Sequence, residues 1–282
     1  MKRWMKKIRS TLFFAKEKML LLNVDVVIAT YPKTGSTWLQ TLLRKLLVSR
    51  FNLGEEAIPE IFVESLLGLA KIPDNVPHIY ITHNMPKFNE EPYQLLELNN
   101  DKFRKNKVIL LVREPKDTLV SLYFHNRFRT VPPAYTGDID SMVHDDVYGI
   151  EKYVKYYQTW EQDRVRCRAF FLLRYEDLQA HPETKLKELC EFIGITGVSD
   201  ETIREAISFA SFENMRKVEE SNTGRLPALN RSKNPQAEAF KVRKGIVGGY
   251  KEYLGEDSIR YIDKCILERL PAMFGYPLDR PI

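Results

Sequence analysis

A lysine, a glycine and hydroxyl side chains follow directly after a strongly apolar run near the start of the chain. The run VDVVIAT (24–30) predicts a strand buried on both faces, and helical sequence follows from about Ser36 to Phe51. Gly35 allows close backbone approach, a helix N-terminus points its N–H groups at an anion, and Lys33 adds a compact positive charge. The stretch therefore predicts an anion site, with a Ser/Thr helix cap beside a surface lysine as the alternative.

The second buried strand also ends at a residue suited to an anion. KVILLVR (107–113) ends in Arg113, where a magnesium-dependent nucleotide site would place an acidic residue, and the chain lacks the pattern GxxxxGK[ST]. Ser121 lies about two helical turns after Arg113. Arginine and a serine hydroxyl can together hold a terminal phosphate. A salt bridge from Arg113 to Glu114 or Asp117 is the alternative.

A third basic cluster follows a long polar segment. Residues 217–242 contain Pro, Asn and Gly without a sustained period, and segments of this length are usually functional or disordered. We predict a mobile lid loop that closes over a ligand and ends at Arg243, Lys244 and Gly245. A solvated basic surface is the alternative, since basic runs are usually solvated.

Strands and helices alternate along the chain. Further strands are predicted at HIYITH (78–83) and AFFLLRYEDL (169–178), and helices at about 116–127 and 183–195. This order predicts a three-layer α/β fold, with a central parallel β-sheet and helices on both faces. Ligands of such folds bind at the carboxyl ends of the strands, where the polar clusters lie. We expect a single domain over residues 1–282.

Composition excludes several classes of protein. The formal net charge of +5 suits an anionic ligand but is too small to indicate nucleic acid. The three cysteines, Cys167, Cys190 and Cys265, are widely spaced, so neither a disulfide framework nor a zinc site is expected. Reduced thiols agree with a cytoplasmic location.

The first 22 residues are basic and amphipathic. Trp4, Met5, Ile8 and Leu12 recur at helical spacing, but the apolar part is too short to span a bilayer. A helix packed on the domain is the favoured interpretation. Weak contact with an anionic membrane surface is the alternative.

Together, these clusters resemble the sulfotransferases that use 3′-phosphoadenosine 5′-phosphosulfate (PAPS), especially the cytosolic small-molecule type. TYPKTGSTW is similar to that family's 5′-phosphosulfate loop, VREPKDTLVSLYFH to its 3′-phosphate motif, and RKGIVGGYKEYL to its RKGxxGDWK segment. ITHNMP lies where the family has its histidine segment, and the order matches over roughly residues 24–275. The resemblance implies a P-loop-NTPase-like sulfotransferase fold and a metal-free enzyme that transfers a sulfuryl group and releases 3′,5′-diphosphoadenosine (PAP).

The resemblance also implies a role for each matched residue. The 5′ phosphosulfate would be bound by Lys33, Thr34, Gly35, Ser36 and Thr37. The 3′ phosphate would be bound by Arg113, Ser121, Arg243, Lys244 and Gly245, and the adenine by Trp38, Tyr175, Ser211 and Phe212. The catalytic residues would be Lys33, which stabilises the leaving bridging oxygen, Ser121, and the base His83.

The acceptor is expected to be a small molecule that offers a hydroxyl or an amine. Candidate pocket residues are Phe88, Phe124, His125, Phe128 and Tyr135, which suit a phenol, an alcohol or a natural-product scaffold. Alternatively, four carboxylates could bind a cationic acceptor: Asp138, Asp140, Asp145 and Asp146.

The chain departs from the family pattern at several positions. Ile81 replaces a lysine two residues before the histidine, Gly249 and Tyr250 replace Asp and Trp, and Ala210 replaces an adenine-side threonine. The family's dimer segment is not matched at Gly255, which leaves the oligomeric state open. A nucleotide-dependent kinase of related fold and a non-catalytic PAPS-binding homologue remain as alternatives.

Overall fold

The structure is a computed structural model of the chain. It describes residues 17, 19–54, 62, 72–85, 87–221, 226, 229–230, 232–234 and 236–276. Apart from residues 17 and 19–22, the predicted N-terminal segment (1–22) lies outside these ranges.

A parallel sheet of four strands forms the centre of the described fold. Its strands are β1 (Val26–Thr30), β2 (Ile79–Thr82), β3 (Lys107–Val112) and β4 (Ala169–Arg174), in the order β2-β1-β3-β4. Val26 pairs with Ile79 on one side and with Lys107 on the other. Every residue of β1 is buried. Because successive side chains point to opposite faces, both faces of the sheet are covered there, which confirms the predicted α/β fold.

Helices connect the strands and continue after the last one. They are α1 (Ser36–Arg50), α2 (Pro115–Phe124), α3 (Ile139–Val143), α4 (Ile150–Asp163), α5 (Tyr175–Ala180), α6 (Pro182–Ile193), α7 (Asp200–Phe209), α8 (Phe212–Ser221) and α9 (Glu256–Arg269).

Three predicted boundaries were wrong. The strand predicted at 169–178 ends at Arg174, since acidic residues in the next turn favour a helix start. The helix predicted at 116–127 ends at Phe124 and continues as a wider π-helical turn, His125–Arg129. Residues 217–221 of the predicted loop belong to α8, in which Met215 and Glu219 are buried one turn apart.

The strand order places the chemistry at one edge of the sheet. After β1 the chain continues to one neighbour, β2, and then crosses to the other neighbour, β3. The segments after β1 and β3 therefore flank a point where the chain reverses its direction across the sheet, and a crevice opens at such a point. Lys33 follows β1 and Arg113 follows β3, so the fold brings the first two predicted anion sites together.

Candidate functional site

A cavity of about 770 Å³ opens at the carboxyl edge of the sheet. Of the predicted site residues, those that line it are Lys33, Gly35, Ser36, Thr37, Trp38, His83, Phe88, Arg113, Ser121, His125, Tyr175, Ser211, Phe212, Arg243, Lys244 and Gly245. The tertiary structure thus joins segments that are far apart in the sequence into one site.

The turn after β1 adopts a left-handed backbone at two positions. Lys33 has φ 73° and Gly35 has φ 100°. A Cβ atom at Gly35 would lie 2.5 Å from Cδ2 of Tyr175, so the close approach of the turn to that ring requires glycine. Gly35 is also the cap of α1, and no side chain caps this helix. The Ser/Thr-cap alternative is therefore wrong, and the helix begins with backbone N–H groups at the cavity.

Thr34 differs from the expectation for the phosphosulfate loop. Its side chain is buried, and its hydroxyl donates a hydrogen bond of 2.8 Å to the Tyr31 carbonyl. Thr34 is not among the residues that line the cavity. It stabilises the turn, while Ser36 and Thr37 lie at the cavity itself.

Arg113 joins the second anion site to the first. Its Nη1 atom donates a hydrogen bond of 3.3 Å to the Lys33 carbonyl, and its guanidinium lies 4.6 Å from the centre of the Tyr175 ring. Its Nε atom is buried without a protein partner. The salt-bridge alternative is not observed among the described residues. Asp117 accepts hydrogen bonds from the N–H groups of Gly248 and Tyr250, and Glu114 lies 3.6 Å from the Lys116 ammonium.

These two bonds to Asp117 also dock the segment after Gly245 onto α2. Arg243 donates from Nη1 to the Tyr253 hydroxyl at 2.8 Å, and Lys244 pairs with Glu252. Gly245 has φ 66°, and its carbonyl accepts a 2.7 Å hydrogen bond from Gln179. The third basic cluster is thus held at the cavity by contacts made along its length.

Aromatic side chains form another part of the wall. The Trp38 indole donates a hydrogen bond of 3.1 Å to the Ala210 carbonyl, and its ring lies edge-on to Tyr175 at 5.2 Å between centroids. Ser211 and Phe212 follow Ala210 directly at the same wall. Such a surface can contact a flat aromatic group beside the anion sites.

His83 is held in one tautomer. Its Nδ1 atom lies 2.8 Å from the Thr30 carbonyl oxygen, which can only accept, and 2.9 Å from the Thr30 hydroxyl. Nδ1 must therefore carry the proton, which leaves Nε2 as the basic nitrogen. Burial lowers the pKa of His83, the bond to Thr30 opposes this effect, and the charges of Lys241 and Lys33 lower it further. His83 is thus neutral at pH 7 and able to accept a proton.

The positive charges around the turn after β1 repel one another. Burial lowers the pKa of Lys33 well below its ordinary value, and the charges of Lys241, Arg129 and Arg113 lower it further, against Glu219. Positive charge is therefore concentrated where an anion would be stabilised.

Only part of the predicted acceptor wall faces the cavity. Phe88 and His125 line it, while Phe124, Phe128 and Tyr135 do not. Phe124 lies under the Arg243 guanidinium at 4.1 Å and is stacked on Phe128 at 5.7 Å, so both pack behind the wall. Tyr135 packs edge-on to Tyr148 at 6.0 Å.

Two neighbouring polar side chains enlarge that wall. His125 Nδ1 and Asn126 Nδ2 are buried without protein partners, and both residues line the cavity. Burial, together with the neighbouring positive charges, lowers the pKa of His125 to about 3, so this imidazole is neutral. Lys152 holds the loop that carries Phe88. Its ammonium group donates hydrogen bonds to the carbonyls of Phe88 and Glu91 at 2.7 and 2.6 Å.

The four aspartates of the cationic-acceptor alternative are used elsewhere, and none lines the cavity. Asp138 accepts a hydrogen bond from the Ser141 N–H, Asp140 from the Gly255 N–H, Asp145 from the N–H groups of Val147 and Tyr148, and Asp146 from the Gln94 side chain. Each one therefore stabilises a turn, a helix start or a contact between segments.

The sequence analysis missed several lining residues, chiefly Lys241. Lys241 lies two residues before Arg243, inside the run KVRKG, so its type was visible as part of the basic cluster. Met85, Met215 and Leu229 add apolar surface to the same cavity. Sequence patterns did not show which residues of the irregular segments face inwards.

Neither a metal-ligand cluster nor a membrane-spanning helix is found among the described residues. Within the described ranges, no group of three or more His, Cys, Asp or Glu side chains could hold a metal ion. None of the described helices is long and apolar enough to cross a membrane.

The chain is similar to known proteins over most of its length. The family model described as "Sulfotransferase domain" matches residues 23–274. A flavonol 4′-sulfotransferase from Flaveria chlorifolia is 28% identical over 273 residues, which cover 88% of this chain and 79% of the relative.

Solved structures share the fold. The mouse sulfotransferase SULT7A1, complexed with PAP, superposes with a TM-score of 0.57 at 22% identity, covering 88% of this chain and 84% of that one. Retinol dehydratase, in complex with androsterone and inactive cofactor PAP, gives a TM-score of 0.62 at 17% identity, covering 92% of this chain and 83% of that one.

The contact between Gly35 and Tyr175 can be tested by a pair of glycine substitutions. Gly35 and Gly194 share φ 100°, but a Cβ at Gly194 meets only the Lys107 Nζ atom, at 3.8 Å. We expect Gly194→Ala to lower the free energy of unfolding by about 1–2 kcal/mol, the cost of left-handed backbone. Gly35→Ala should cost more, because the Tyr175 ring must also move. Denaturant unfolding measures both, and equal losses would contradict the contact.

Proposed function

The chain belongs to the sulfotransferase family, and on this premise we propose that it transfers the sulfuryl group of PAPS to a hydroxyl or amine of a small-molecule acceptor. It is a PAPS-dependent enzyme of that family. The observation that carries the proposal is the hydrogen bond from Arg113 Nη1 to the Lys33 carbonyl. This bond holds the two predicted anion-binding segments side by side, which supports a ligand with phosphates on both its 3′ and 5′ positions.

The lining residues fit such a ligand. The start of α1 with Lys33, Ser36 and Thr37 would bind the 5′ phosphosulfate, since its N–H groups have no side-chain cap. The unpartnered Arg113 Nε would donate to the 3′ phosphate. Ser121, Arg243, Lys244 and Gly245 would complete that phosphate site, and Trp38, Tyr175, Ser211 and Phe212 would contact the adenine. Thr34 would contribute through its support of the turn.

His83 and Lys33 would carry the chemical step. His83 Nε2 accepts the proton of the acceptor hydroxyl while the acceptor oxygen bonds to sulfur and the bond from sulfur to the phosphate oxygen breaks. Lys33 stabilises the negative charge that develops on the leaving phosphate oxygen, and PAP is the product. The remaining cavity residues position the two reactants in line, as in phosphoryl transfer.

The acceptor wall favours an uncharged ring or chain that carries a hydroxyl. Phe88, Met85 and Met215 supply apolar surface, while the unpartnered atoms of His125 and Asn126 can hydrogen-bond an acceptor hydroxyl. The aspartates that would have favoured a cation are used in structural hydrogen bonds. A phenol or alcohol is therefore the preferred acceptor within this proposal.

The segment before Arg243 would act as the lid. It comprises residues 222–242, because residues 217–221 of the predicted loop belong to α8. Arg129 on the π-helical turn and Glu219 on α8 are joined at 2.6 Å, and Arg129 also donates to the Ala239 carbonyl. These contacts tie one end of the segment to the cavity wall. The single domain, the cytoplasmic location and the N-terminal membrane contact stay predictions from the sequence.

Ligand-dependent stability separates this function from that of a kinase. We expect PAP without magnesium to stabilise the protein by about 2.7 kcal/mol at one hundred times its Kd. Thermal unfolding with PAP or with magnesium-ATP measures the difference. A larger shift with magnesium-ATP would favour the kinase. Turnover of PAPS with a panel of phenols, alcohols and amines, followed by mass spectrometry, then separates an enzyme from a non-catalytic homologue.

Lys33→Ala should lower turnover by about 100- to 1,000-fold, a typical loss for one transition-state donor. PAP binding should weaken less, because the N–H groups at the start of α1 are retained. Steady-state kinetics and PAP titration check this, with the exposed Lys264→Ala as the matched control. A variant with wild-type turnover would rule out Lys33 as the stabilising cation.

His83→Ala should lower turnover by about 100- to 10,000-fold and leave PAP affinity unchanged. In the wild type, kcat/KM should fall as pH decreases through the pKa of His83, because only the neutral imidazole accepts a proton. Since burial lowers that pKa, the fall should lie below the ordinary range for histidine. The pH profile of kcat/KM in the wild type measures this fall. His144→Ala, at an exposed histidine, is the control variant. Normal turnover of a hydroxyl acceptor by His83→Ala would refute its role as base.

A further inference from the structure

Lys241 lies in the wall of the cavity that also contains Lys33 and His83. It belongs to the proposed lid segment (222–242), but neither the motifs nor the chemical step proposed above gives its side chain a role. Ile81 lies on β2, two residues before His83, and its side chain carries no charge. The cavity therefore receives this lysine from a different part of the chain.

A buried carboxylate fixes the backbone of Lys241. Glu219 is fully buried on α8, and it accepts hydrogen bonds from the N–H groups of Lys241 at 2.7 Å and Val242 at 2.9 Å. Arg129 donates to the same carboxylate at 2.6 Å and to the Ala239 carbonyl at 2.9 Å. Lys241 is thus held by its main chain, which does not depend on the nature of its side chain.

The ammonium group of Lys241 acts on the reactive end of the cavity. After burial, its charge is the largest cause of the lowered pKa of Lys33, and it also lowers the pKa values of His83 and His125. Burial and the charge of Arg129 lower the pKa of Lys241 itself to about 8, while Glu219 opposes this shift. Two lysines from separate segments therefore lie close enough to repel each other beside the basic histidine.

An anion between the two lysines would relieve this repulsion. The sulfuryl group carries its negative charge on oxygens that lie between the leaving phosphate oxygen and the attacking acceptor. Lys33 already faces the leaving oxygen in the function proposed above. The position of Lys241 near both Lys33 and His83 corresponds to the group in transfer, which lies between the leaving oxygen and the base.

We propose that Lys241 is a second catalytic cation, whose ammonium group binds the sulfuryl oxygens while sulfur passes from the phosphate oxygen to the acceptor oxygen. The inference rests on the proposed function, because it names a residue for the same reaction. In this step the bond between sulfur and the phosphate oxygen breaks, the bond between sulfur and the acceptor oxygen forms, and the acceptor proton goes to His83. Lys241 keeps its own protons and supplies charge alone.

The test compares three variants of the full chain: Lys241→Met, Lys241→Arg and the control Lys264→Met, whose lysine is exposed on α9 outside the cavity lining. We expect Lys241→Met to lower kcat with PAPS by about 100-fold. Its affinity for PAP, which lacks the sulfuryl group, should change far less. Lys241→Arg keeps the charge and should recover much of the lost turnover. Thermal unfolding checks that each variant is folded.

The pH profile supplies a readout that a merely structural residue would not change. Removing the positive charge of Lys241 should raise the pKa of His83, since that charge disfavours the imidazolium form. The acid limb of kcat/KM should therefore move to higher pH in Lys241→Met and keep its position in Lys241→Arg. The charge of Lys33, which also lowers the pKa of His83, is the same in all variants.

The outcomes separate the inference from the function on which it rests. Turnover by Lys241→Met equal to that of Lys264→Met, or an equal loss of PAP affinity and turnover, would overturn the role of Lys241 while the sulfotransferase activity stands. An absence of PAPS turnover by the wild-type chain with every acceptor would overturn both.

Discussion

Concentrated positive charge in one buried cavity is the constraint on which the rest of this structure depends. Burial lowers the pKa of Lys33, and the nearby charges of Lys241, Arg129 and Arg113 lower it further. Such an arrangement is costly without a bound anion, because each charge loses water and repels its neighbours. Rigid attachments keep the cations together. Arg113 is bonded to the turn that carries Lys33, and Glu219 fixes the backbone of Lys241.

The parallel sheet makes this concentration possible. Its strands all end at one edge, and the crossing from β2 to β3 places the ends of β1 and β3 side by side. Gly35 then allows the first turn to approach the Tyr175 ring more closely than any side chain would permit. Tyr175 in turn contacts both Trp38 and the Arg113 guanidinium, so one aromatic side chain links the aromatic wall of the cavity with the segments that follow β1 and β3.

Two histidines with lowered pKa values, His83 and His125, line the cavity beside the cations. The Thr30 carbonyl fixes the tautomer of His83, while burial and the charges of Lys241 and Lys33 lower its pKa. Burial, together with the neighbouring cations, lowers the pKa of His125 to about 3, and its Nδ1 atom has no hydrogen-bond partner among the described residues. In the proposed reaction, this charge field would serve both halves, because it would bind the donor and keep the base neutral.

The sequence alone determined the family and the α/β fold, and it identified most of the residues that line the cavity, because buried β-branched strands and the turns after them leave a local signature. It did not determine which side chains of the irregular segments face inwards. Thr34 turned into the loop, Phe124 and Phe128 packed behind Arg243, and Lys241 entered the cavity. Tertiary structure decided these positions, because they depend on contacts between distant segments, such as Glu219 with Lys241, that no local pattern records.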